Sequence, residues 1–82
     1  MTRDEVVVQL TKILKDGFSI DPKEVTPSAT FRGSLRMDSI DVLNLIEDVE
    51  SAFGISADTS DYRDLHEVAR LVDFIVARHK HS

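Results

Sequence analysis

Val6, Leu10, Ile13 and Leu14 recur at i, i+4, i+7 and i+8, the spacing that lines one side of an α-helix with apolar residues. Just upstream, Thr2-Arg3-Asp4-Glu5 has the form of a capping box, in which a hydroxyl and a carboxylate satisfy amide donors at a helix start. Gly17 offers a C-terminal stop. From Phe18 to Met37 the periodicity fails, and Pro22, Pro27 and Gly33 punctuate the segment. A structureless connection of that length is uncommon in a small domain. Ile20, Val25, Phe31 and Leu35 are therefore expected to pin it against the helices.

A second helix is predicted from Asp38 to about Phe53, with Asp38 as N-cap and Gly54 as its stop. Leu45, Val49, Val42, Phe53, Ile46 and Leu43 gather on one broad face of it, at about 100° per residue. A third helix is expected to open at Asp64-Leu65-His66-Glu67, a capping-box analogue that uses Asp. Its stripe is Leu65, Val68, Leu71, Val72, Ile75 and Val76. Between these two, Ser56 to Arg63 has room for one short helical turn. No segment alternates like a strand and nothing repeats. The pattern predicts an all-α single domain over residues 1–82, a small four-helix bundle of three main helices and one short one with a long first loop.

Composition narrows the function more than the fold. The 82 residues are 41% hydrophobic and 30% charged, ordinary for a globular domain, and carry a net charge of −5. No cysteine is present, which removes thiolate nucleophiles and Cys-type zinc sites together. No apolar run approaches the ~18 residues of a membrane span, and Met1-Thr2-Arg3-Asp4-Glu5 is unlike a signal peptide. A monomeric cytoplasmic protein is expected. The acidic balance argues against nucleic acid as the main ligand. The charge is unevenly placed. Residues 1–37 hold six basic and five acidic side chains, and 62–82 hold four and three. Asp38, Asp41, Glu47, Asp48, Glu50, Asp58 and Asp61 lie between them with no Lys or Arg. Such a run is commonly a solvated face, and it can also steer a basic partner.

Several catalytic and metal patterns are begun and left unfinished. His66-Glu67-Val68-Ala69-Arg70 starts like a zinc-protease helix, but Arg70 stands where the second ligand belongs. Asp58-Thr59-Ser60-Asp61 starts like a calcium loop, but Arg63 and Ala69 occupy its required Gly and Glu positions. His79 and His81 read as a frayed chain end rather than a metal pair. No glycine-rich phosphate loop exists, and no Ser is matched with a His and a third orienting group. The chain is not expected to be an enzyme.

Asp38-Ser39-Ile40-Asp41 is the informative segment. Asp and Ser are ordinary residues at a helix start, so taken alone the tetrapeptide is a cap. Ile40, however, falls opposite the apolar face, among Asn44, Glu47 and Ser51. An apolar side chain inside an acidic rim suits docking better than helix stability.

The segment Phe31-Arg32-Gly33-Ser34-Leu35-Arg36-Met37-Asp38-Ser39-Ile40-Asp41 resembles the F-x-x-x-L-G-x-D-S-[LI]-D pattern of the acyl carrier protein family. Glu50 and Phe53 are similar to the family's E-x-x-F helix ending. Val25-Thr26-Pro27-Ser28-Ala29-Thr30-Phe31 is similar to its lead-in, and Val72-Asp73-Phe74-Ile75 to its final helix. The resemblance implies that Ser39, flanked by Asp38, is the attachment site of 4′-phosphopantetheine delivered from coenzyme A by a phosphopantetheinyl transferase. It implies that Ile40, Asp41, Glu47 and Glu50 meet basic patches on acyl-activating, acyltransferase or synthase enzymes. It further suggests that Leu43, Ile46 and Tyr62 border a space for an acyl chain, beside their plainer role as core. Arg36 stands where the family usually has Gly, Gly33-Ser34 replaces a usually acidic pair, Asn44 replaces a usual Glu, and Tyr62 a small residue. A specialised carrier fits these departures at least as well as a housekeeping one. The remaining alternatives are an aminoacyl or peptidyl carrier, and an unmodified acidic helical adaptor.

Overall fold

The computed structural model describes residues 1–79, so His81 lies outside the described residues. Three α-helices follow one another: α1 (Arg3–Phe18), α2 (Ser39–Phe53) and α3 (Val68–His79). Two single 3-10 turns, Pro22–Glu24 and Thr59–Asp61, sit in the connections. The second of these is the short turn expected between Ser56 and Arg63.

α1 begins as its sequence dictates. The Glu5 N–H donates to Thr2 Oγ1 at 3.2 Å, and the Thr2 N–H donates to Glu5 Oε1 at 3.0 Å. Donation to the Glu5 carboxyl, first from the Thr2 backbone N–H and then from the Thr2 side chain, holds it below its ordinary value of 4.5. Val6, Leu10 and Leu14 then enter the core without solvent exposure.

The helix does not stop at Gly17. It continues to Phe18, and Ser19 takes the left-handed conformation at φ 58°. The reason lies downstream. Ile20 turns inward and is buried, and its N–H donates to Leu14 O at 3.1 Å. Burial of the residue after the cap fixes where the chain reverses, and that outweighs the preference of a glycine two positions earlier.

α3 also starts later than its sequence suggests. Residues 65–67 are not its first turn. Thr30 and Glu67 form an isolated antiparallel bridge, with the Phe31 N–H donating to His66 O and the Val68 N–H to Ala29 O, both at 3.0 Å. The Ala69 N–H donates to Pro27 O at 3.0 Å. Loop carbonyls thus satisfy the first amides of α3, and Asp64 is not needed as a cap. Its own N–H closes a turn on Asp61 O at 3.0 Å.

The long loop is pinned as expected. Ile20, Phe31 and Leu35 are buried, Val25 is partly so, and Ala29 and Met37 join them. They pack with Leu45, Ile46, Val49 and Phe53 of α2 and with Val68, Leu71, Val72 and Ile75 of α3. At 1% exposure Phe31 alone contributes roughly 1.5–3 kcal/mol. Leu43 does not join this face of α2. It is 43% exposed, because it lies beyond the flank of the buried arc, three residues from Ile40 and four from Glu47.

Gly33 explains how the loop folds back so tightly. A Cβ there would lie 2.4 Å from Thr30 Oγ1, and that oxygen accepts from the Ser34 N–H at 3.1 Å. Gly33→Ala should therefore destabilise the protein by about 1–3 kcal/mol in urea unfolding. Adding Thr30→Ala should recover part of that loss, since it removes the clashing atom. Strictly additive costs would show that the close approach is not what demands glycine.

Candidate functional site

Asp38 and Asp41 build the start of α2. The Asp41 N–H donates to Asp38 Oδ1 at 2.8 Å, and the Asp38 N–H donates to Asp41 Oδ2 at 3.3 Å. This reciprocal box uses two carboxylates where the more familiar version has a hydroxyl and a carboxylate. Negative charge at this end also suits the helix dipole. The first helical bond follows from the Val42 N–H to Asp38 O at 3.0 Å.

Ser39 is the first residue of α2, and its side chain stands in solvent. The box consumes the amides of Asp38 and Asp41. Among the described residues the Ser39 hydroxyl and the N–H groups of Ser39 and Ile40 have no hydrogen-bond partner. A free hydroxyl thus stands beside two free amide donors at the positive end of a helix, the chemistry a phosphate ester requires. These residues fit a phosphodiester-linked group.

The site is held from below. Met37, the residue before the cap, is buried, and its N–H donates to Phe31 O at 2.8 Å. Arg36, one residue earlier, is exposed and adopts a left-handed backbone at φ 54°. Leu35 on its other side is buried. The loop therefore enters α2 through a fixed turn, not a tether.

Of the other predicted site residues, Ile40 is 66% exposed and Glu47 is exposed on the same side of α2. Leu43 lies between them, so an apolar pair precedes the acid along one outer stripe. Sequence reasoning assigned Leu43 to the core, although its three-residue offset from Ile40 marked this stripe. Glu50 is placed differently from the rest. It is half-buried, and its Oε2 accepts from the Ala57 N–H at 3.0 Å. That carboxylate ties the α2–α3 connection to the helix. Leu43, Ile46 and Tyr62 are not brought together as one lining. Ile46 is buried, Tyr62 packs half-buried against the core, and Leu43 faces outward. Among the described residues no three His, Asp or Glu side chains converge as a metal site.

The family described as "Phosphopantetheine attachment site" matches residues 8–75. The chain belongs to the acyl carrier protein family. The acyl carrier protein of Rubrobacter xylanophilus is 36% identical to it over 93% of this chain and 94% of its own length. That of Thermosynechococcus vestitus is 33% identical over 92% and 93%. The solved acyl carrier protein of Enterococcus faecalis superposes with a TM-score of 0.80 at 32% identity, covering 95% of this chain and 99% of the other. The fold class read from the sequence is that of these carriers, and the expected short fourth helix is a single 3-10 turn. Arg36, where the sequence pattern led to the expectation of glycine, holds the left-handed backbone that favours glycine.

The cap is separable from the hydroxyl it presents. Asp38→Ala should cost about 1–2 kcal/mol in chemical unfolding, whereas Asp38→Asn, which can still accept from the Asp41 N–H, should cost much less. Equal losses would mean that the carboxylate acts by charge rather than by capping.

Proposed function

We propose that Ser39 carries the phosphopantetheine group of this carrier, and that the outer stripe of α2 presents it to partner enzymes. The observation that carries the reading is the state of Ser39. It has a free hydroxyl in solvent beside two free amides, on a helix start fixed by the Asp38–Asp41 box. The bound group supplies the thiol that the cysteine-free chain lacks, and this thiol holds an acyl cargo as a thioester. The chain's own work is presentation. Asp38 and Asp41 fix the first turn, and the Ser39 and Ile40 amides receive phosphate charge. Ile40 and Leu43 give an apolar anchor for docking, with Glu47 at its edge for a basic patch.

The same reading makes the chain a non-catalytic shuttle. Loading belongs to a phosphopantetheinyl transferase, and cargo chemistry to acyl-activating, acyltransferase or synthase enzymes. No helix among the described residues is long and apolar enough to cross a membrane, and the reading places the carrier free in the cytosol as a monomer.

Intact-protein mass after incubation with coenzyme A and a broad-specificity phosphopantetheinyl transferase tests this. Wild type should gain the mass of one phosphopantetheine and Ser39→Ala none, with both variants equally helical by circular dichroism. Gain by Ser39→Ala would move the site elsewhere. No gain by wild type, under conditions that modify a control carrier, would favour an unmodified adaptor.

A further inference from the structure

Arg36 is the only basic residue between Gly33 and Asp61. Its side chain is 80% exposed, so it has no packing role that stability would select. The left-handed backbone, at φ 54°, is strained for a non-glycine residue. Its one ion pair among the described residues, Nη2 to Glu24 Oε1 at 3.8 Å, joins two well-exposed groups. Such a pair contributes little and leaves the strain uncompensated. Strain that stability does not explain points to function at that position.

Ser39 gains from such a charge. Asp38 and Asp41 bracket it with two carboxylates, which repel the phosphate group that must approach its hydroxyl. Arg36 lies three residues before Ser39, at most roughly 10 Å away along the chain. Buried Leu35 and Met37 on either side hold its backbone in place. A guanidinium on a fixed turn, with five donors and only a weak partner, suits a phosphate oxygen.

We propose that Arg36 contacts the phosphate transferred to Ser39, offsetting the charge of Asp38 and Asp41; this rests on the reading of Ser39 as the attachment residue. In that transfer Ser39 Oγ forms a bond to the β-phosphorus of coenzyme A, and the pyrophosphate P–O bond breaks. Adenosine 3′,5′-bisphosphate leaves with the electron pair, and the hydroxyl proton passes to a base of the transferase. Arg36 stands beside the phosphorus centre and gives up no proton.

The test is the initial rate of mass gain with coenzyme A and a broad-specificity transferase, for wild type, Arg36→Lys, Arg36→Gly, Arg36→Glu and Ser39→Ala. Arg36→Gly should lower kcat roughly three- to tenfold and Arg36→Glu further, while Arg36→Lys stays within about twofold of wild type. The carrier's KM should change less than about twofold throughout. Glycine suits the backbone at this position, and unfolding curves at least as stable as wild type will confirm that Arg36→Gly is folded. An unchanged kcat in Arg36→Gly overturns the proposal. So does a loss confined to the carrier's KM, which would place Arg36 against the transferase protein rather than the phosphate. Mass gain by Ser39→Ala overturns the Ser39 reading itself, and is separable from either result.

Discussion

Two short stretches of backbone hold this carrier in register. Residues 27–31 and 66–69 exchange hydrogen bonds from Phe31 to His66, from Val68 to Ala29 and from Ala69 to Pro27. They do the work that capping side chains do elsewhere, satisfying the first amides of α3 while anchoring the long loop. A further bond from Met37 to Phe31 O folds the end of the loop back onto that seam. Met37 immediately precedes the α2 cap, so the position of Ser39 is set, through one chain of backbone bonds, by the start of a helix distant in sequence. The buried side chains of Phe31, Leu35 and Met37 keep water from competing for those bonds.

With the loop so fixed, the site needs little machinery. The Asp38–Asp41 box aligns the first turn and leaves the Ser39 hydroxyl and two amides unused. Carboxylates that cap a helix would also surround an incoming phosphate with like charge, so an arrangement good for the fold would oppose the modification proposed for Ser39. Glu50 shows the same division of labour further along α2. Its carboxylate holds the next connection, which leaves Glu47 and Asp48 as the exposed acids of the helix.

What could be seen in the sequence was what local chemistry decides. The Thr2–Glu5 box, the Asp38 cap, the Gly54 stop and the apolar stripes depend on residues within a turn or two of one another. The resemblance to the family was legible as well, because the motif's spacing survives around Ser39. Features set by distant partners were not legible. Burial of Ile20 carried α1 past Gly17. Pairing with residues 29–31 took 65–67 out of α3. The edge of the buried arc on α2 depended on what packed beside it, which put Leu43 outside. Arg36 was visible as a charge, but its left-handed backbone arises from the closure of the loop between two buried residues.

Site-resolved amide hydrogen exchange on the unmodified protein tests most directly whether this seam positions Ser39. The amides of Phe31, Met37 and Val68 should exchange as slowly as those of Leu45 and Ile75 in the core, through global unfolding. The Ser39 and Ile40 amides should exchange at rates near those of an open chain. If Phe31, Met37 and Val68 instead exchange at loop-like rates while the core stays protected, the loop opens independently of the helices. The attachment turn would then be a tethered segment and not a fixed one.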